Sequence, residues 1–110
     1  PIQLAQSGDA SVAQHVVDTV AALNETADHA VGLVVGGTHD DLGCRLDAFN
    51  ASILVPGIGA QGGTIEGLRA TFGAAVRHVL PTASREVIGG GRAALSGRLD
   101  ALLASTDALG

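Results

Sequence analysis

The segment LVPGIGAQGG at residues 54–63 joins an apolar run to a loop with four glycines in seven residues. The run before the loop is short and rich in β-branched residues, which predicts a strand over 52–57 that is buried on both faces. Thr64 is a suitable helix N-cap, and Gly73 is suited to end the helix that the pattern predicts over 64–73. A strand, a glycine-rich loop and a helix in this order predict a βα unit.

The same alternation of strand and helix extends along the whole chain. Helices are predicted over 11–23, 39–48, 64–73 and 92–106, and strands over 30–36, 52–57 and 76–81, with a short helical turn after Ser84. This order predicts an α/β fold with about three parallel strands and right-handed crossovers. Four leucines of the last helix are predicted to face inward: Leu95, Leu99, Leu102 and Leu103.

No linker or charge run marks a second domain, so residues 1–110 are interpreted as one unit. Three parallel strands with two bare edges and an uncovered face are expected to pack against further strands. We therefore interpret the unit either as part of something larger or as a unit that pairs with another chain.

Composition excludes several classes of function. The sequence has 110 residues, a net charge of −5 and one cysteine. The acidic balance argues against nucleic acid or an anionic membrane as a partner, and no apolar run approaches the roughly 20 residues of a membrane span. Cys44 permits no internal disulfide, fits a cytoplasmic location, and is interpreted as a half-buried structural thiol. The spacing of the four histidines is not that of a metal site: His15, His29, His39 and His78.

The glycine-rich loop has the chemistry of an anion site. Glycines allow a ligand to approach the backbone closely, and Gln61 adds uncharged donors. Arg85, after the third strand, would lie at the same edge of the sheet and present a bidentate fork to an anion. The alternatives are that the glycines only make a tight turn and that Arg85 is an ordinary surface arginine.

Three segments carry a resemblance to a known family: VGLVVGGTH (31–39), ILVPGIGAQGG (53–63) and VLPTASREVI (79–88). They resemble the C-terminal part of orotidine 5'-monophosphate (OMP) decarboxylase, in the branch whose PGIGAQGG loop is followed by a downstream Ser-Arg pair. The resemblance implies that the chain is the C-terminal portion of a (β/α)8 TIM barrel, with strands six to eight. It also implies a lyase of pyrimidine biosynthesis that converts OMP to uridine monophosphate (UMP) and CO2 without metal or organic cofactor.

The resemblance also implies roles for individual residues. Gln61 and Arg85 would contact the phosphate of the nucleotide, assisted by backbone amides near Gly62 and Ser84. Pro56 and Gly57 would lie beside the pyrimidine, although they equally fit a sharp exit from the strand.

The sequence departs from the family in one large respect. The decarboxylation centre of the family is a Lys-Asp-Lys-Asp array on earlier strands, and this chain has no lysine. A TIM barrel usually needs ~250 residues. The chain is therefore interpreted as a phosphate-binding segment without catalytic residues, whose partners would be the nucleotide, the remaining barrel strands and a second subunit of a homodimer. Two alternatives stay open: a segment of another sugar-phosphate TIM barrel, and a non-catalytic half-barrel fragment.

Overall fold

The structure is a computed structural model that describes residues 2–110. Four α-helices and five short strands are assigned within that range. In chain order they are β1 (Gln6–Ser7), β2 (Ala10–Ser11), α1 (Val12–Asn24), β3 (Leu33–Val34), β4 (Ile53–Val55), α2 (Ile65–Phe72), β5 (Val79–Pro81), α3 (Arg85–Ile88) and α4 (Leu95–Asp107). Further 3-10 turns occupy Ile2–Leu4, Gly73–His78 and Arg92–Ala94.

A parallel three-stranded sheet is the centre of the fold, in the order β3-β4-β5. Leu54 of β4 lies opposite Val34 on one side and Leu80 on the other. The ladder continues past the assigned strands, since the Gly37 N–H donates to the Pro56 carbonyl at 2.8 Å. The predicted α/β fold with three parallel strands is confirmed.

The two faces of the sheet differ sharply in exposure. Ile53 and Val55 are fully buried against the helices, in a core that includes Val17, Leu68 and Phe72. The alternate side chains form an aligned apolar row on the other face, with exposures of 71% for Val34, 40% for Leu54 and 53% for Leu80. Side chains alternate between the faces of a strand, so the described residues cover one face and leave the other open.

This difference predicts unequal effects of two matched substitutions. Ile53→Thr puts a hydroxyl into the core and should lower the free energy of unfolding by about 2–3 kcal/mol. Leu54→Thr, on the next residue of the same strand, should cost under about 1 kcal/mol because that side chain is already partly solvated. Urea denaturation of both variants measures the difference, and equal losses would contradict the open face.

Two of the predicted helices match the structure closely. Ser11 caps α1, accepting a hydrogen bond from the Gln14 N–H at 3.0 Å. Thr64 caps α2, accepting from the Gly67 N–H at 3.0 Å, and the helix ends at Gly73 with a φ of 52°.

The predicted helix over 39–48 is wrong, because this segment is a series of turns and bends. Gly43 has a φ of 68°, which interrupts a right-handed helix. Asp41 accepts the Gly43 N–H at 2.8 Å through its carboxylate, and Ser11 donates to the Gly43 carbonyl. These side chains satisfy the backbone locally, in competition with a helical ladder.

The third predicted strand begins later than expected. Residues Gly73–His78 form a 3-10 turn, and β5 starts at Val79. The other strand boundaries are also wider in the prediction than in the structure. Val76 packs on the core from this turn, so the first residues of the predicted strand form a helical turn instead.

The inward orientation predicted for the last helix is wrong for three of its four leucines. Leu95, Leu99 and Leu103 are 39%, 43% and 53% exposed, while Leu102 packs against the core. The helix follows the edge strand β5 and lies beside α2, where the Arg69 guanidinium donates to the Ala108 carbonyl at 2.9 Å. No described strand lies beyond β5 to cover the remaining leucines.

Candidate functional site

Two loops meet at the carboxyl ends of neighbouring strands. The glycine loop (residues 56–63) follows β4, and the arginine turn (residues 82–88) follows β5 and includes α3. Between them is a cavity of about 150 Å³. Its lining residues are Pro56, Gly57, Ile58, Ala60, Gln61, Thr82, Ala83, Ser84 and Arg85. Parallel strands bring their carboxyl ends to one edge of a sheet, which is where ligands bind in open α/β folds.

Five of the six residues predicted for the site line this cavity. Pro56, Gly57 and Gln61 come from the glycine loop, and Ser84 and Arg85 come from the arginine turn. Gly62 lies outside the lining. Its N–H donates to the Gly59 carbonyl at 2.8 Å, within the loop.

The glycine loop is held closed by its own backbone. The Gly59 N–H donates to the Gly63 carbonyl at 2.8 Å, and the Gly63 N–H donates to the Gly57 carbonyl at 3.0 Å. Gly57 has a φ of 102° and Gly62 a φ of 98°, a region that side chains rarely adopt. Four loop N–H groups find no backbone acceptor among the described residues and remain for a ligand: those of Gly57, Ile58, Ala60 and Gln61.

Gln61 lies over Gly57 at the mouth of the loop. A Cβ at Gly57 would be 3.4 Å from the Gln61 Oε1 and 3.3 Å from the Thr38 Cγ2. The absence of a side chain at Gly57 therefore lets the Gln61 amide lie beside the end of the strand. Gln61 is exposed, and its amide is free to meet a ligand from solvent.

Arg85 is the first residue of α3 and is exposed. Its guanidinium makes no hydrogen bond and no ion pair with residues 2–110, which distinguishes it from several other arginines. Arg69 donates to carbonyls at the end of α4, and Arg98 donates to the Glu86 carbonyl. The Arg85 fork is thus available to an anion in the cavity.

Glu86 is a residue of the site that the sequence analysis missed. A Cβ at Gly59 would lie 2.5 Å from the Glu86 Cβ and 2.7 Å from its Oε2. The side chain of Glu86 therefore packs directly on the glycine loop, which joins the two halves of the site. Its position next to Arg85 in the sequence suggested that Glu86 would lie near the site, but nothing in the sequence indicated which loop it would contact.

Apart from Arg85, no titratable residue of the described chain lines the cavity. His39 packs beside Gly36, and the His15 Nε2 lies 2.7 Å from the Ser7 carbonyl oxygen. Across residues 2–110, no three His, Cys, Asp or Glu side chains come together in a group that could hold a metal ion.

The Cys44 thiol is half-buried. Burial raises its pKa above the ordinary value, and the carboxylates of Asp41 and Asp18 raise it further. A raised pKa leaves less thiolate, and the thiolate is the nucleophile. The interpretation as a structural thiol agrees with this, although the residue lies in a bend and not in the predicted helix.

Within the described part of the chain, no helix is both long and apolar enough to cross a membrane.

Comparison with known proteins gives one consistent result. The chain is 44% identical over 108 residues to the orotidine 5'-phosphate decarboxylase of Salinispora tropica, which covers 94% of this chain and 39% of that protein. The Salinispora arenicola enzyme of the same name is 45% identical over 102 residues, covering 89% of this chain and 37% of that protein. No protein-family model matches the chain.

A solved structure gives the same result for the fold. A crystal structure from Streptomyces avermitilis, assigned to orotidine 5'-phosphate decarboxylase, superposes with a TM-score of 0.76 at 34% identity. The match covers 98% of this chain and 40% of that protein, so the chain spans about two fifths of the length of the proteins it matches. The chain is therefore similar in both sequence and fold to one part of orotidine 5'-phosphate decarboxylase, and the resemblance predicted from its loops is confirmed.

Proposed function

We propose that this chain is the segment of an OMP decarboxylase that binds the phosphate of the nucleotide. The observation that carries the proposal is the cavity between the glycine loop and the arginine turn, together with the guanidinium of Arg85 at its edge, which has no partner among residues 2–110. The cavity of about 150 Å³ is several times the roughly 30 Å³ that one water molecule occupies in the liquid.

Each residue of the site has a role in this proposal. Arg85 donates two parallel hydrogen bonds to phosphate oxygens, a geometry that suits the guanidinium fork. The Gln61 amide and the backbone amide of Ser84 donate further bonds. Pro56 and Gly57, at the end of β4, lie beside the pyrimidine.

The reaction that the whole protein would perform is decarboxylation of OMP to UMP and CO2, without metal or organic cofactor. The chain has no lysine, so the groups that act on the carboxylate belong to other strands of the barrel. Binding energy from a remote phosphate can still lower the barrier at the reacting centre. The segment would thus contribute to turnover as well as to affinity.

The same proposal implies what would surround the segment in the intact protein. The open apolar row of the sheet, Val34, Leu54 and Leu80, is the surface where the remaining strands of the barrel would pack. We propose a homodimer for the intact protein, and a cytoplasmic location because the lone thiol of Cys44 fits a reducing compartment.

The test is calorimetric titration of the chain with UMP and, separately, with uridine. The proposal predicts that UMP binds at least about tenfold more tightly than uridine, because only UMP carries the phosphate. Size-exclusion chromatography run alongside shows whether the chain is monomeric. Equal binding of the two ligands by a monomeric chain would overturn the proposal.

A further inference from the structure

Arg98 of α4 reaches back to the arginine turn. Its Nη1 donates to the Glu86 carbonyl at 2.9 Å, although the two residues are on different helices. The contact was not indicated by the sequence, where the last helix carries no sign of a role in the site. Arg98 is exposed and is not among the residues that line the cavity.

The Glu86 carbonyl needs a partner from outside its own helix. The helix α3 has four residues, and the Gly89 N–H donates to the Arg85 carbonyl at 2.9 Å. The next bond of a regular helix would run from the Gly90 N–H to the Glu86 carbonyl, but that bond does not form within the described chain. Arg98 therefore satisfies a carbonyl that the short helix leaves free.

Gly90 makes room for this contact. A Cβ at Gly90 would lie 2.6 Å from the Arg98 Nε and 2.8 Å from its Cζ. The guanidinium thus lies directly against the backbone of Gly90. Any larger residue there would push Arg98 away from the Glu86 carbonyl.

Glu86 links this contact to the site. Its carbonyl is held by Arg98, its side chain packs on Gly59 of the glycine loop, and its backbone continues from Arg85. The position of Glu86 therefore determines both how the two loops pack together and where the Arg85 side chain leaves the backbone.

We propose that Arg98 is a positioning residue that fixes the arginine turn through the Glu86 carbonyl, so that Arg85 is preorganised for the phosphate. The proposal rests on the proposed function for the role of Arg85. It makes Arg98 a determinant of phosphate affinity without any contact to the ligand.

A double-mutant cycle on UMP binding tests the link. Arg98→Ala should weaken UMP binding by about threefold to tenfold, the size of the net contribution of one ordinary hydrogen bond, because Arg98 affects the ligand only through the arginine turn. Uridine binding should not change. In an Arg85→Ala background, Arg98→Ala should have no further effect. Equal effects of Arg98→Ala in the two backgrounds would show that it acts independently of Arg85 and would overturn the proposal.

Hydrogen exchange gives a readout that does not need a ligand. Arg98→Ala should speed exchange of the Gly89 N–H, which donates to the Arg85 carbonyl at the end of α3, and leave the Gly67 N–H of α2 unchanged. Unchanged exchange at Gly89 would show that Arg98 does not hold the arginine turn and would overturn the proposal. If the wild-type chain shows no preference for UMP over uridine, the proposed function fails, and the exchange result still decides whether Arg98 holds the turn.

Two glycine variants give a matched pair. Gly90→Ala should reproduce the effect of Arg98→Ala on both readouts, because the new methyl group displaces the guanidinium. Gly97→Ala adds the same methyl group on α4 beside Arg98, where nothing lies within 4 Å, and should change neither. Wild-type UMP affinity and wild-type exchange of the Gly89 N–H in the Gly90→Ala variant would contradict the proposed contact.

Discussion

Replacing Arg85 by alanine is expected to weaken UMP binding by about tenfold to a hundredfold. The estimate follows from about 1.5–3 kcal/mol for hydrogen bonds to a charged group, with each 1.4 kcal/mol worth a factor of ten. Stability to urea should be unchanged, because the exposed side chain has no partner within residues 2–110. Calorimetry with UMP measures the affinity.

The matched control for this variant is Arg92→Ala. It removes the same charge at another exposed position, one that does not line the cavity, and should leave UMP binding within about twofold of the wild type. Arg85→Lys should recover only part of the affinity, because lysine keeps the charge and loses the planar fork. Equal losses in the Arg85 and Arg92 variants would show that only overall charge matters.

Replacing Gly63 by alanine is expected to lower both the stability of the chain and its binding of UMP. A Cβ at this buried position would lie 2.7 Å from the Gly57 carbonyl oxygen and 2.8 Å from the Gly37 carbonyl oxygen. Both are backbone atoms, so the loop must move and its internal hydrogen bonds must distort. We expect a loss of about 2–3 kcal/mol in the free energy of unfolding, typical of strong overpacking, together with loss of UMP binding.

Gly97→Ala is the control for adding a methyl group, since it replaces an exposed helical glycine with open space around it. It should be neutral or slightly stabilising, because alanine has a higher helix propensity than glycine. Urea denaturation compares the two variants. A Gly63→Ala chain as stable as the wild type would mean that the backbone of the glycine loop does not pack closely against the Gly57 and Gly37 carbonyls.

The parts of the fold and site that could be predicted are specified by residues that lie close together in the sequence. The glycine loop and its helix are specified by neighbouring residues: a β-branched run, glycines at positive φ, and Thr64 as the cap. The loop and Arg85 follow consecutive strands of a parallel sheet, so topology alone brings them to one edge. That is why a cavity lined by both could be predicted without a structure.

The errors concern residues whose conformation depends on distant partners. Residues 39–48 have acidic residues where a helix could begin, but Gly43 is bonded by Ser11, which is 32 positions away. The last helix has leucines at helical spacing, but their burial depends on what lies beyond β5. The contacts of Glu86 with Gly59 and Arg98 join separate loops and helices, and no periodicity in the sequence carries that information.

The proposed function rests on the claim that the cavity between the two loops binds the phosphate group of the nucleotide. The most direct measurement is an NMR titration of the isotopically labelled chain with UMP, and then with uridine. With UMP, we expect the largest shifts at the backbone amides of Ala60, Gln61 and Ser84 and at the side-chain Nε–H of Arg85, and we expect these shifts to be absent with uridine. UMP-induced shifts confined to other surfaces, with these four groups unmoved in a folded chain, would contradict the claim.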